Sequence, residues 1–275
     1  MQGASRNSLR TLRDRLPADG DLTRLSDELF AVVSLLSTRA SLRRALSDPA
    51  STATAKANVV TQLLGSRIES GSVDIVSAAV QSRWSQSRDL VDALEEVAVD
   101  AALITAQSAG TLDAVEDELF RFERILDAEP TLRAALTDPN LGADGKRDLL
   151  HRLLDGKVNV VTYSLVERAV LEPRGRTIER ALQDLSALAA QRRNRLIAHV
   201  TSAVELTEDE QRDLVAALSR TFGHELGIQM VVDPALIGGL TARVGDELID
   251  ASVARQLEDA RRKLTGRSST RSTRA

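Results

Sequence analysis

One stretch of this chain is written twice. Ser41-Leu42-Arg43-Arg44-Ala45-Leu46-Ser47-Asp48-Pro49 recurs as Thr131-Leu132-Arg133-Ala134-Ala135-Leu136-Thr137-Asp138-Pro139, 90 positions later. The same ungapped offset pairs Leu29-Phe30 with Leu119-Phe120, Lys56 with Lys146, Leu63-Leu64 with Leu153-Leu154, Val76 with Val166 and Ala79-Val80 with Ala169-Val170. From Leu29–Val80 to Leu119–Val170, 16 of 52 positions are identical, far above the few that chance supplies. A period of 90 exceeds the roughly 20–50 residues of solenoid repeats. Each copy is therefore a small domain, and the fold must hold the same module in tandem.

The module reads as helical. Leu22, Leu25, Leu29, Val32 and Leu36 form an apolar stripe at helical spacing, matched by Leu112, Val115, Leu119, Phe122 and Leu126. An amphipathic segment precedes each stripe: Leu9, Leu12 and Leu16 in the first copy, and Leu94, Val97, Ala101 and Ile104 in the second. Aromatics are 2% of a chain that is 43% hydrophobic, so the core is aliphatic, which suits helix-on-helix packing. Each Asp-Pro turns the chain out of helix. Short helices are expected near 55–65 and 145–155, then helices near 72–84 and 160–171, then long ones near 88–107 and 175–194. The stretch 88–107 is expected to close the first bundle and open the second. The expected domains are a bundle at 1–92, a second bundle at 93–194, a small α+β domain at 195–264 and a disordered basic tail at 265–275. The fold class is mainly α with a small α+β C-terminal domain.

The period changes after residue 194. Leu196, Ala198 and Val200 alternate with Ile197, His199 and Thr201, as in a half-buried strand. Thr207-Glu208-Asp209-Glu210 is a capping box opening a helix with Leu214, Leu218 and Phe222 on one face. Ile228, Met230 and Val232 alternate again, ending at Asp233-Pro234. Gly245-Asp246, between two alternating runs, predicts a two-residue hairpin that sets Ala242 opposite Ile249 and Arg243 diagonal to Asp250. A last helix is expected from about Ser252, carrying Val253, Leu257 and Leu264. The order is β-α-β-β-β-α.

A search for reaction chemistry returns nothing. There is no cysteine, so disulfides and thiolate chemistry are excluded. His151, His199 and His224 lack metal-site spacing and read as surface or strand-face residues. No phosphate-loop motif exists, and Gly238-Gly239 leads into a strand rather than a helix. Glu118, Arg121 and Glu123 read as a solvated helix face. Glu172-Pro173-Arg174-Gly175-Arg176 reads as a helix connector, and Trp84 as packing. No catalytic residue, cofactor or metal is expected. The N-terminal residues hold no apolar signal segment, and no run approaches the ~18 apolar residues of a span, so the chain is expected to be neither exported nor membrane-spanning. Six basic groups and no acid lie in residues 261–275, so a net charge of -4 overall becomes -10 for residues 1–260. An acidic body argues against nucleic-acid binding. These residues alone are also compatible with a helical-repeat adaptor carrying an α+β appendage.

Two stretches narrow the choice. One is the second module, with Leu132-Arg133-Ala134-Ala135-Leu136-Thr137-Asp138-Pro139 and Lys146. The other is Val232-Asp233-Pro234-Ala235-Leu236-Ile237-Gly238-Gly239-Leu240, continuing to Arg243, Gly245, Asp246, Asp250, Ser252 and Leu257. Together, over about residues 93–264, they resemble the delta subunit of F-type ATP synthases, the family of the oligomycin-sensitivity-conferring protein. Residues 1 to about 90 are similar to the extra bundle of a longer form of that family. The resemblance implies a non-catalytic peripheral-stalk subunit that joins the N-terminal helices of the catalytic alpha subunits to the b subunit and resists rotor torque. It implies contact with the membrane only through partners, at the cytoplasmic face of a bacterial plasma membrane. It implies no small-molecule substrate, and a structural role for the signature residues.

Overall fold

Helices carry the repeat, and the repeat is visible element by element. The first copy forms α1 (Gly3–Arg13), α2 (Thr23–Thr38), α3 (Ala40–Ser47), α4 (Ala53–Leu64) and α5 (Ser70–Gln81), followed by the long α6 (Ser87–Ser108). The second forms α7 (Leu112–Ala128), α8 (Pro130–Thr137), α9 (Gly142–Leu154), α10 (Val160–Leu171) and α11 (Ile178–Arg195). This computed structural model describes residues 3–195, 197–222, 226–233, 236, 239–244 and 247–250, with the backbone alone at Asn194, Arg195 and Asp250. The helices α3 and α8, and likewise α5 and α10, begin and end 90 residues apart. Asp48 has φ -64 and ψ 120, and Asp138 has φ -63 and ψ 119. Both are the residue before a proline, for which helix is disfavoured. Each turns its carboxylate to the N–H two residues on, Ala50 at 2.9 Å and Asn140 at 2.8 Å.

α6 belongs to both copies. It closes the first, as α11 closes the second, and its C-terminal half precedes α7 as α1 precedes α2. Thirteen of its residues are buried, among them Leu90, Leu94, Val97, Ala101 and Ile104. Every residue from Val97 to Ile104 is buried, so this stretch of the helix is covered on all sides, as a helix inside a core is. The expected division at residues 92 and 93 lies within this one helix, and the first compact unit runs Met1–Ala190. α1 is shorter than its apolar spacing suggested. It stops at Arg13, and the half-exposed Leu16 lies in a tightened turn before Pro17, where Leu16 N–H reaches the Arg13 carbonyl at 3.0 Å.

The second unit, Gln191–Ala275, contains β1 (Ile197–Ser202), α12 (Glu208–Phe222), β2 (Gly227–Val232), β3 (Leu240–Val244) and β4 (Glu247–Asp250). Among the described residues these make one four-stranded sheet of order β2-β1-β3-β4, with β1 and β2 parallel and the other pairs antiparallel. The capping box forms: Glu210 Oε2 accepts from the Thr207 N–H at 2.8 Å, while Thr207 Oγ1 accepts from the Glu210 N–H at 3.3 Å. Leu214, Leu218 and Phe222 pack with Ala198, Val200, Ala242 and Val244 in one core. Ala242 opposes Ile249, as the hairpin reading required. Val232 departs from its expected alternation, being 45% exposed at the end of an edge strand. The final helix from about Ser252 and the basic tail lie outside the described residues.

Candidate partner-binding surfaces

The first unit is built around ionic struts that converge on α6. Arg13 on α1 donates to Glu96 at 3.1 Å and to the buried Asp100 at 2.5 Å. From the other copy, Arg174 donates to Asp92 and to Glu95, both at 2.5 Å, and Arg176 donates to Glu95 at 2.5 Å. Arg174 is 9% exposed and has φ +52, followed by Gly175 at φ +78. The connector between α10 and α11 is thus bent to drive a guanidinium into α6, and its positive charge is consumed internally. Its position in the first copy is taken by Trp84, whose indole N–H reaches the Ala79 carbonyl at 2.7 Å. Burial pushes the Glu96 carboxyl above its ordinary range, and neighbouring Asp100 and Asp92 add to that, while Arg13 opposes it.

A second motif is duplicated with its hydrogen bonds. Glu28 on α2 accepts from the Glu69 N–H at the start of α5, at 2.9 Å. Glu118 on α7 accepts from the Asn159 N–H at the start of α10, at 2.8 Å, and from Thr162 Oγ1 at 2.6 Å. Ser72, the counterpart of Thr162, faces Glu28 without closing a hydrogen bond of ordinary geometry. Burial raises the Glu28 pKa, but Ser72, the Glu69 N–H and Arg24 together outweigh it and hold the carboxyl low. This corrects the reading of Glu118 as a solvated-face residue. It satisfies an orphan helix N-terminus from 41 residues away, and Arg121 turns instead to Asp117, at 3.6 Å.

The two copies meet through an arginine. Arg168 of α10 lies 4.8 Å above the ring of Phe30 and donates to Asp27 at 3.3 Å. Phe30 is 5% exposed; Phe120, its counterpart, is 54% exposed. Ile125, Leu141 and Val160 are also exposed in the second copy, and Val59 and Leu63 share a face of α4 in the first. Scattered apolar residues are ordinary on a surface; a phenylalanine whose duplicate is buried is not.

In the second unit Asp233 and Gly239 flank a crossover. β2 and β3 flank β1, so the chain must pass over the end of β1 between them. Asp233 donates its N–H to the Ser202 carbonyl at 2.9 Å, and the Gly239 carbonyl accepts from Ala203 at 3.3 Å on the other side. Leu236 N–H turns back to the Asp233 carbonyl at 3.1 Å. Gly239 has φ +82, a conformation glycine adopts without strain. Arg243 is exposed on β3 opposite Leu248, with Asp250 on the diagonal. Gln229, His199, Arg243 and Leu248 form one cross-strand row on the face of the sheet turned away from α12. Pro234, Gly238, Gly245, Asp246, Ser252 and Leu257 lie outside the described residues, as does His224. His151 is exposed, 3.7 Å from Asp155.

Sequence reasoning missed Asp27, Arg168 and the partners of Arg174. One signal was available for the first: the run Asp27-Glu28-Leu29-Phe30 returns whole as Asp117-Glu118-Leu119-Phe120. No helix among the described residues is long and apolar enough to cross a membrane.

Comparison with known proteins places this architecture. The family profile described as ATP synthase delta (OSCP) subunit matches residues 99–264, more than half of the chain. ATP synthase subunit delta of Streptomyces avermitilis is 49% identical over 267 residues, covering 95% of this chain and 98% of its own. Those of Streptomyces griseus and Thermobifida fusca are 47% and 45% identical, each covering 97% of this chain and all of their own length. These relatives therefore span the first copy of the module as well as the second. A chain of the Toxoplasma gondii mitochondrial ATP synthase hexamer aligns over 61% of this chain and 94% of itself, with 16% identity and a TM-score of 0.32, too low to weigh in the argument. A tandem helical module, a family profile over more than half of the chain and relatives matched over nearly its whole length lead to one assignment: the chain belongs to the ATP synthase delta (OSCP) subunit family, as a non-catalytic stator component of the peripheral stalk.

Proposed function

We propose that this subunit ties the alpha subunits of the catalytic head to the b subunit of the membrane-anchored stator, at the cytoplasmic face of a bacterial plasma membrane. The helical unit grips N-terminal helices of the alpha subunits, and the α+β unit meets the b subunit. The observation that carries the reading is the end-to-end likeness to delta subunits, of which the S. avermitilis match covers 95% of this chain. The physical design agrees. A stator linker transmits torque, so it must not shear between its parts, and one 22-residue helix serves as a wall of both copies with ion pairs clamped to it from either side. Two gripping modules in one compact unit also raise the effective concentration of the second contact once the first is made. The signature residues act structurally in this reading, with Asp233 and Gly239 holding the crossover over β1. Membrane attachment is borrowed from partners.

The test is reconstitution. Purified full-length chain is added to catalytic heads stripped of it and to vesicles bearing the b subunit, and co-sedimentation of heads with vesicles is measured. Tethering is expected with the chain and not without it, and it is expected to fall when the alpha N-terminal helices are removed. Equal sedimentation with and without the chain would refute the linker role.

A further inference from the structure

The repeat supplies an internal experiment on one surface. In the first copy, Asp27 and Phe30 lie one turn apart on α2 and hold the guanidinium of Arg168 between carboxylate and ring. In the second copy the same pair stands at the same place on α7, as Asp117 and Phe120, and faces solvent: 69% of the Asp117 side chain and 54% of Phe120 are exposed, and the exposed Arg121 of the same helix lies 3.6 Å from Asp117. Around Phe120, at about 100° per residue, α7 presents the acids Asp113, Asp117, Glu123 and Asp127 against Arg124 and the flanking Arg121, four acids to two bases. The counterparts on α2 are Thr23, Asp27, Val33 and Ser37, with Ser34 in place of Arg124. The second face has kept its aromatic while gaining negative charge.

We propose that the Asp117–Phe120 face of α7 is a docking surface for a basic amphipathic helix of a partner subunit, gripped by one arginine placed between carboxylate and ring as Arg168 is in the first copy. Charge selects the occupant. A second copy of this chain, stacking its first module where the second module stacks within the chain, would present Ala78, the counterpart of Arg168, and no cation. Four carboxylates also favour a helix carrying further basic residues beside the arginine. The inference goes beyond the linker role, which stands on the family assignment whichever surface the partners use.

The test uses the full chain in the assembled synthase. A photo-crosslinker replaces Phe120, and the crosslinked peptide is identified by mass spectrometry. Binding of wild-type, Phe120→Ala and Asp117→Arg chains to heads stripped of the subunit is measured alongside, with the Tm of each isolated chain. The expected results are a crosslink to an arginine-containing helical segment of another subunit, and binding weakened about tenfold in both variants with Tm unchanged. A crosslink to residues 251–275 of the same chain, to a second copy, or to a segment without arginine overturns the proposal, as does binding equal to wild type. If the wild-type chain itself fails to bind heads, the linker role fails instead, and the two failures are distinguishable.

Discussion

Helices α2 and α7 descend from one sequence and have been fitted to different surroundings. Both bury the stripe that includes Leu29 and Leu119, each with no exposed surface. α2 also buries a second face, with Ser26 donating to the Ala98 carbonyl at 2.8 Å and Phe30 and Val33 nearly inaccessible. Small buried residues on both sides, Ser26 on α2 and Ala98 and Ala102 on α6, let the two helices approach closely. The corresponding residues of the second copy are Glu116, Leu188 and Arg192, and α7 and α11 do not pack so tightly. Duplication thus preserved the core of the module and released one of its faces. A face loses its apolar character where no neighbour covers it, and α7 has lost Val33 in favour of Glu123 but retained the ring.

The widest gap between the copies should appear at the paired phenylalanines. Phe30→Ala removes a buried ring and the seat of Arg168, and should cost about 3 kcal/mol. Phe120→Ala at the duplicate position should stay within about 0.5 kcal/mol, as surface changes usually do. Denaturant unfolding of the two variants measures this, and equal losses would mean that α7 is covered in the same way as α2. Next comes Arg174→Ala, which strips Glu95 and Asp92 of their buried partner. Solvent reaches Asp92, so the loss should be about 2 kcal/mol rather than the full value of a closed pair. Because the strut exists only in the second copy, no loss at all would show that α6 is braced by packing alone.

Smaller effects test where the copies agree. Glu28→Ala and Glu118→Ala should each cost about 1 kcal/mol at pH 7, since each uncovers a helix N-terminus. The Glu28 carboxyl is held below its ordinary 4.5, so its contribution is present above that pH and lost as pH falls through the lowered value. The Glu28→Ala penalty should accordingly shrink on acidification, and a pH-independent penalty would contradict the cap. Glu96 has the opposite sign. Its carboxyl titrates above 4.5, so the folded state is penalised as pH rises from 4.5 through the raised value. Glu96→Gln should give a slight gain in Tm at pH 7 that disappears near pH 4. A clear loss at pH 7 would mean that the Arg13 pairing outweighs burial.

Much of this was legible in one dimension. The offset of 90, the apolar stripes and the Asp-Pro stops placed most of the helices of the first unit near their observed ranges, because each signal is local: a helix face, or a backbone turned out of helix before a proline. α1 was overextended because the spacing of Leu16 said helix while Pro17 said otherwise, and the proline prevailed. Glu118 was misread because its partners lie 41 and 44 residues away. The signature at Asp233 and Gly239 could be recognised as a pattern, yet its crossover geometry depends on β1 lying between β2 and β3, which strand spacing does not encode.

The sequence by itself determined that there are two copies of one helical module, where their helices run, and that no apparent reaction chemistry accompanies them. Tertiary structure decided which face of each copy is interior. That choice depends on long-range packing: whether Arg168 lands on Phe30, whether Arg174 reaches Glu95, and whether small residues on α2 and α6 meet. Identical local runs, Asp27-Glu28-Leu29-Phe30 and Asp117-Glu118-Leu119-Phe120, therefore end as a buried contact in one place and an open surface in the other. Burial is a property of what covers a residue, and the covering residues are far away in the chain.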